Sequence, residues 1–281
     1  MKRSNLLLLA CIAMVFASSF IGCKKQQNEV TESVTITPSF KTFTSADSNE
    51  FSTVEISVEY PIGGEKLYLD SVRNWINDIL SVDVFAEDGY VKRFSAKQDD
   101  GQALVKYYST ARLCNDIDNE TKSFLKQQQV RYECSENIKV SFLGKNLTSY
   151  ISQTYAYMGG AHGGIINASA VFNNKTGETI GWEMIKDTLK LKSYIVDGLL
   201  EYFETDSKQS LTDRLFQISL DELPLPILKP YFNEDGLVVM YGQYEITSYA
   251  YGMPFAIIPW DNLEQVLTQD VLNLIGKDKR K

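Results

Sequence analysis

Residues 130–157 read VRYECSENIKVSFLGKNLTSYISQTYAY, and this stretch decides the fold. Apolar and polar residues alternate through Val130, Tyr132 and Cys134, then Ile138, Val140 and Phe142, then Leu147, Ile151, Tyr155 and Tyr157. A period of two is the mark of β-strands with one buried face. Polar triplets at Ser135–Asn137 and Gly144–Asn146 divide the stretch into three antiparallel strands with short turns. Downstream, the glycine-rich break at residues 159–164, GGAHGG, leads into a further strand over Ile165–Phe172, which ends at the turn Asn173–Gly177.

Upstream, Phe51–Tyr60 alternates in the same way and stops at Pro61, Gly63 and Gly64. Leu67, Val72, Trp75, Ile76, Ile79 and Leu80 then recur at helical spacing, which predicts an amphipathic helix. Helical patterns follow over Gln102–Leu113 and on to Gln129, and again between Trp182 and Phe216, where Leu223-Pro224-Leu225-Pro226 breaks them. The chain ends in strands Gly236–Tyr241 and Phe255–Trp260 and a short helix over Leu263, Val266 and Leu267. Strands and helices come in blocks, without the regular alternation of a parallel α/β protein. The expected class is therefore α+β, with antiparallel sheets packed against helices in two subdomains, residues 41–175 and 176–281.

Composition narrows the function. Among 281 residues there are 28 basic and 36 acidic side chains, a net charge of -8, so no basic face is expected for nucleic acid. The one histidine, His162, rules out metal sites that need two imidazoles from one chain. No cofactor is expected: the glycine clusters contain neither GxGxxG after a strand nor GxxxxGK[ST]. GxSxG is also absent, and Asn115–Glu120 lacks the glycine and the terminal glutamate of a calcium loop, so it reads as a solvated turn. No metal ligand and no catalytic residue is assigned.

The N-terminus carries Lys2 and Arg3, an uncharged apolar run from Leu6 to Phe20, and then Ile21-Gly22-Cys23. The run is too short for a ~30 Å hydrocarbon core, so it reads as a signal peptide over residues 1–22. A small residue directly before a cysteine resembles the bacterial lipobox, although Phe20 and Ile21 differ from its usual leucine and small residue. Cleavage there leaves Cys23 as the lipidated first residue, followed by a polar tether over residues 23–40. The expected location is the bacterial cell envelope, most simply the outer membrane on its periplasmic or surface face, held by the N-terminal lipid alone. Removing Lys2 and Arg3 gives 26 basic against 36 acidic groups, or -10. Cys114 and Cys134 remain in the folded part, and an exported pair is most simply a disulfide.

Three segments in order carry a resemblance: residues 54–80, VEISVEYPIGGEKLYLDSVRNWINDIL; residues 148–163, TSYISQTYAYMGGAHG; and residues 231–260, YFNEDGLVVMYGQYEITSYAYGMPFAIIPW. Together they resemble the extracytoplasmic domain pair shared by the anti-sigma factor RsiV and the peptidoglycan deacetylase PdaC. The resemblance implies a binding module at the envelope, with lysozyme-like muramidases or peptidoglycan as partner. The deacetylase's two-histidine metal chemistry does not carry over to a chain with one histidine, and the anti-sigma segment has no counterpart in the three segments.

The candidate binding residues are Tyr157, Gly159, Gly160, His162 and Gly163 in the glycine-rich break, and Tyr244, Glu245, Tyr249 and Tyr251 in the tyrosine-rich block. The glycines either bring a loop backbone close to a ligand or permit a strand crossover in which His162 satisfies a buried carbonyl. The tyrosines form either an interface or sugar platform or one covered face of a sheet. Glu245 is the acid to test for the alternative reading, an enzyme acting on envelope glycans, and a structural hydrogen bond is its other role.

Overall fold

The structure is a computed structural model. It describes residues 36–86, 88–96, 99–115 and 117–276. The expected signal peptide, Cys23 and most of the expected tether lie outside these residues. The tether's last two residues, Ser39 and Phe40, open the first strand.

Six strands form one sheet in chain order: β1 (Ser39–Ser48), β2 (Ser52–Gly63), β3 (Tyr132–Leu143), β4 (Leu147–Tyr157), β5 (Gly164–Asn173) and β6 (Thr179–Ile180). All neighbours are antiparallel except β2 and β3, which run parallel. Among the described residues between those two strands lie the helices α1 (Lys66–Ser81), α2 (Gly101–Ala111) and α3 (Asn119–Gln128). A crossover of that length brings the chain back in the same direction. The class is α+β, as the block pattern indicates.

Tyr68, Val72, Ile76 and Leu80 of α1 are fully buried at a spacing of four. They form one core with Val54, Ile56 and Val58 of β2 and Tyr150 of β4. Asp100, Asp118 and Asp187 start α2, α3 and α4 (Thr188–Tyr202) by accepting a hydrogen bond from the backbone N–H three residues on. A second core contains Leu147, Ile151 and Val171 of β4 and β5 together with α4 and a three-stranded antiparallel sheet, β7 (Tyr231–Phe232), β8 (Gly236–Met240) and β9 (Phe255–Pro259). Two short helices, α5 (Lys208–Thr212) and α6 (Gln269–Ile275), flank this second core. The subdomain boundary expected at 175/176 falls between β5 and β6, two strands of one sheet. Among the described residues no helix is long and apolar enough to cross a membrane.

The structure differs from the sequence pattern at two further places. No turn interrupts β3 at Ser135–Asn137, so β3 and β4 are two strands where three were expected. Glu136 points inward, where it meets the Arg112 guanidinium at 3.5 Å with both side chains fully buried. Ser152 Oγ and Thr154 Oγ1 donate to its two oxygens at 2.5 and 2.6 Å. The expected Cys114–Cys134 disulfide is also not formed: both residues are buried thiols. Cys114 is held through its backbone, its N–H donating to Ser52 Oγ at 2.9 Å and its carbonyl accepting from Asn49, while Cys134 packs into the first core. Burial pushes each thiol up to about 11.

Candidate functional site

The β4–β5 connection and the chain after β8 meet at one end of the large sheet. Gly159 takes a φ of +78°, a backbone region that favours glycine. Gly163 is required for space, because a Cβ there would lie 2.3 Å from the Tyr155 ring. These two positions lay the loop against β4 and leave His162 exposed between them.

His162 is therefore an exposed residue and not part of the core, although its ring does meet the carbonyl of a buried glycine. Its Nδ1 lies 3.0 Å from the carbonyl oxygen of adjacent Gly163, which accepts when that nitrogen holds the proton. Nε2 is then the acceptor for the Tyr244 hydroxyl, 3.4 Å away. The imidazole stacks on Tyr249 with centroids 3.7 Å apart and planes 15° from parallel, and Tyr244 is tilted beside Tyr249 at 5.9 Å.

The turn that carries Tyr244 is clasped from within. Glu245 Oε2 accepts from Gly242 N and its Oε1 from Ile227 N, both at 2.7 Å. Gln243 Oε1 accepts from Ile165 N on β5 at 2.8 Å. Tyr244 itself has a φ of +62°, a left-handed conformation that is costly for an aromatic residue. The clasp holds it there, with 54% of its surface exposed.

Between loop and turn lies a cleft of about 510 Å³. It is lined by Thr154 and Ala156 of β4, by Val84, Met158, Ile165 and Ile166, and by His162, Gln243 and Tyr244. Met158 and Ile166 are 54% and 60% exposed, an uncommon state for two large apolar neighbours of one cleft.

The candidate residues thus separate into groups. His162, Gly163, Tyr244 and Tyr249 come together at the cleft, and Gly159 shapes the loop. Glu245 has the structural role. Gly160 is exposed in the loop, and Tyr157 sits opposite Glu133 in the sheet. Tyr251 turns away, packing edge-on against Phe203 at 5.4 Å while its carbonyl accepts from Tyr202. Tyr241 is in the second core, where burial and then the nearby Glu245 charge push its hydroxyl well up. Sequence reasoning missed Met158, Ile166 and Gln243. Met158 and Gln243 adjoin segments already singled out, and that position is the one signal that could have found them.

The site thus belongs to a fold in which a large mixed sheet and a small C-terminal sheet share one end. Residues 183–261 match a family described as a protein of unknown function (DUF3298). The fold is similar to the crystal structure of a DUF3298 family member from Bacteroides fragilis NCTC 9343, at 18% identity and a TM-score of 0.63, covering 87% of this chain and 98% of that one. It is also similar to that of a DUF3298 family protein from Pseudomonas aeruginosa PAO1, at 12% identity and a TM-score of 0.52, covering 84% and 95%. No curated protein matches the chain. The resemblance read from the sequence is carried by these findings as far as the DUF3298 segment and its fold.

Proposed function

We propose that this chain is a lipid-anchored envelope protein that acts as a binding module, docking a protein partner of the lysozyme-like muramidase kind in the cleft beside His162 and Tyr244. One observation carries this reading: two segments far apart in sequence converge on a cleft whose apolar rim is exposed. Val84, Ala156, Met158, Ile165 and Ile166 give much of the lining an apolar surface that returns little to a sugar hydroxyl, and the polar groups there are the few side chains of Thr154, His162, Gln243 and Tyr244. Tyr249 has one ring face covered by His162, which reduces its use as a sugar platform. An apolar side chain of a protein suits this lining better than a glycan does. The charge of the processed chain, 26 basic against 36 acidic groups or -10, favours a basic partner and makes association salt-sensitive. Glu245, the acid on which a glycan-cleaving reading would rest, spends both oxygens on backbone amides.

Calorimetry with a panel of basic muramidases at low and high salt, with soluble peptidoglycan fragments as a second arm, tests the reading. The expected result is binding to a muramidase that weakens with salt and falls at least about tenfold in Tyr244→Ala, the size of a modest interface anchor. No heat with any muramidase, or heat with the glycan fragments alone, overturns it. Mass spectrometry of the membrane-extracted protein tests the anchor: the expected N-terminus is an acylated Cys23.

A further inference from the structure

Away from that cleft, α4 and β9 enclose a second one, of about 260 Å³. It exists because the two elements touch almost backbone to backbone: a Cβ on Gly198 would lie 2.4 Å from the Cβ of Ala256. Tyr202 and Phe255 form one side, their rings edge-to-face with centroids 5.4 Å apart. Tyr202 is fixed by its hydroxyl, which donates to Tyr251 O at 2.8 Å, and Phe255 remains 37% exposed. Ala256, Ile257 and Pro259 continue the apolar lining, and Glu201 and Asp235 stand on the rim. Among the described residues neither carboxylate is paired with a cation. Asp235 accepts only a long 3.5 Å bond from Asn233, beyond its backbone turn.

We propose that this cleft binds a cationic side chain of a partner, an arginine guanidinium or a lysine ammonium. The chemistry on each surface matches the two ends of such a side chain. Its hydrocarbon stem needs an apolar trough. Its charged head gains from aromatic rings within about 6 Å and from carboxylates in reach. The size suits one side chain and is too small for an extended peptide. A neutral donor gains only the weaker, uncharged hydrogen bond from Glu201 and Asp235, and an anionic group is repelled by them. The site is independent of the cleft at His162, so either can fail without the other.

Amide NMR of the folded protein, titrated with N-acetylargininamide, tests this directly. N-acetyllysinamide is the second cationic probe, and the isosteric neutral N-acetylcitrullinamide is the control. Saturable shifts confined to the amides of Gly198, Tyr202, Phe255 and their neighbours are expected with a cationic probe and not with citrulline. In the Glu201→Gln/Asp235→Asn double variant, the affinity is expected to fall at least about tenfold. Both side chains are exposed, so the variant should keep the parent spectrum elsewhere. Equal response to citrulline, shifts scattered over the acidic surface, or unchanged affinity in the double variant would overturn the proposal. Shifts confined instead to His162 and Tyr244 would likewise overturn it, and would place the cation in the other cleft.

Discussion

The side chain of Gln243 stands in for a strand partner of Ile165: its Oε1 accepts the β5 backbone N–H at 2.8 Å, across 78 residues of sequence. This bond pins the tyrosine-bearing turn to the edge of the large sheet, and so sets the width of the cleft. Gln243→Ala leaves the Ile165 amide without that acceptor at a part-buried position. The expected cost is about 1 kcal/mol of stability, with faster hydrogen exchange at Ile165 than at other β5 amides. Unchanged exchange at Ile165 would show that the turn is held by Glu245 alone.

Beside Thr154, which lines the cleft, Glu136 on the neighbouring strand accepts from its hydroxyl with one oxygen and faces Arg112, whose Nη2 donates to Val82 O at 2.6 Å. Val84, two residues on, also lines the cleft. Among the described residues, Nε and Nη1 of Arg112 are buried with no hydrogen-bond partner, so the network is incompletely satisfied there. Glu136→Ala strands a fully buried guanidinium and is expected to cost about 3–5 kcal/mol in urea unfolding. The double change Arg112→Met/Glu136→Gln should recover part of that loss, because two buried charges leave together while the glutamine carbonyl still accepts from one of the two hydroxyls. A double variant as weak as Glu136→Ala would mean that the pair is worth more than an uncharged replacement.

The two buried thiols give a pH dependence of known sign. Each has its folded value pushed from 9.0 up to about 11, chiefly by burial. Over that window the unfolded chain has released the protons while the folded chain keeps them, so stability falls as pH rises from about 9 to about 11. Cys134→Ala should flatten part of that decline. In the reduced folded protein at pH 8, Cys114 and Cys134 should resist iodoacetamide and react once denaturant is added. Rapid labelling of the folded protein would mean that the thiols are not enclosed as described.

How far these features could be read from the sequence depends on the range of the cause. The α1 stripe of Val72, Ile76 and Leu80 and the alternation of Val54, Ile56 and Val58 are local patterns, and both elements stand where the pattern puts them. Glu136 looked like a turn residue because Ser-Glu-Asn is polar, and its true partner, Arg112, lies on a different element. β1 is an outer strand half made of serines and threonines with no fully buried position, so it carries no apolar stripe to read. The same holds at the cleft. His162 and the tyrosines were visible as unusual residues, but their stacking depends on a fold-level meeting of two segments. Gln243 acts through one backbone amide on another strand, and no spacing rule announces such a bond.

Tyr244 offers the sharpest separation of fold from function. Its φ of +62° puts an aromatic residue where glycine is at ease, and the left-handed region costs a residue with a Cβ about 1–2 kcal/mol. The ring returns little of this to the fold: it is more than half exposed, and its hydrogen bond to His162 is long. Glycine at this position loses more chain entropy on folding, which offsets about 0.5–1 kcal/mol of the gain. Tyr244→Gly is therefore expected to raise stability by about 0.5–1 kcal/mol, seen as a higher urea midpoint with unchanged slope. The same variant should lose the proposed muramidase docking by at least about tenfold. Tyr249→Ala is the control with the opposite balance, since removing a ring stacked at 3.7 Å on His162 should lower stability. A Tyr244→Gly protein that is less stable than the parent would show that the ring is part of the fold's own packing. One that is more stable and still binds would remove Tyr244 from the docking surface.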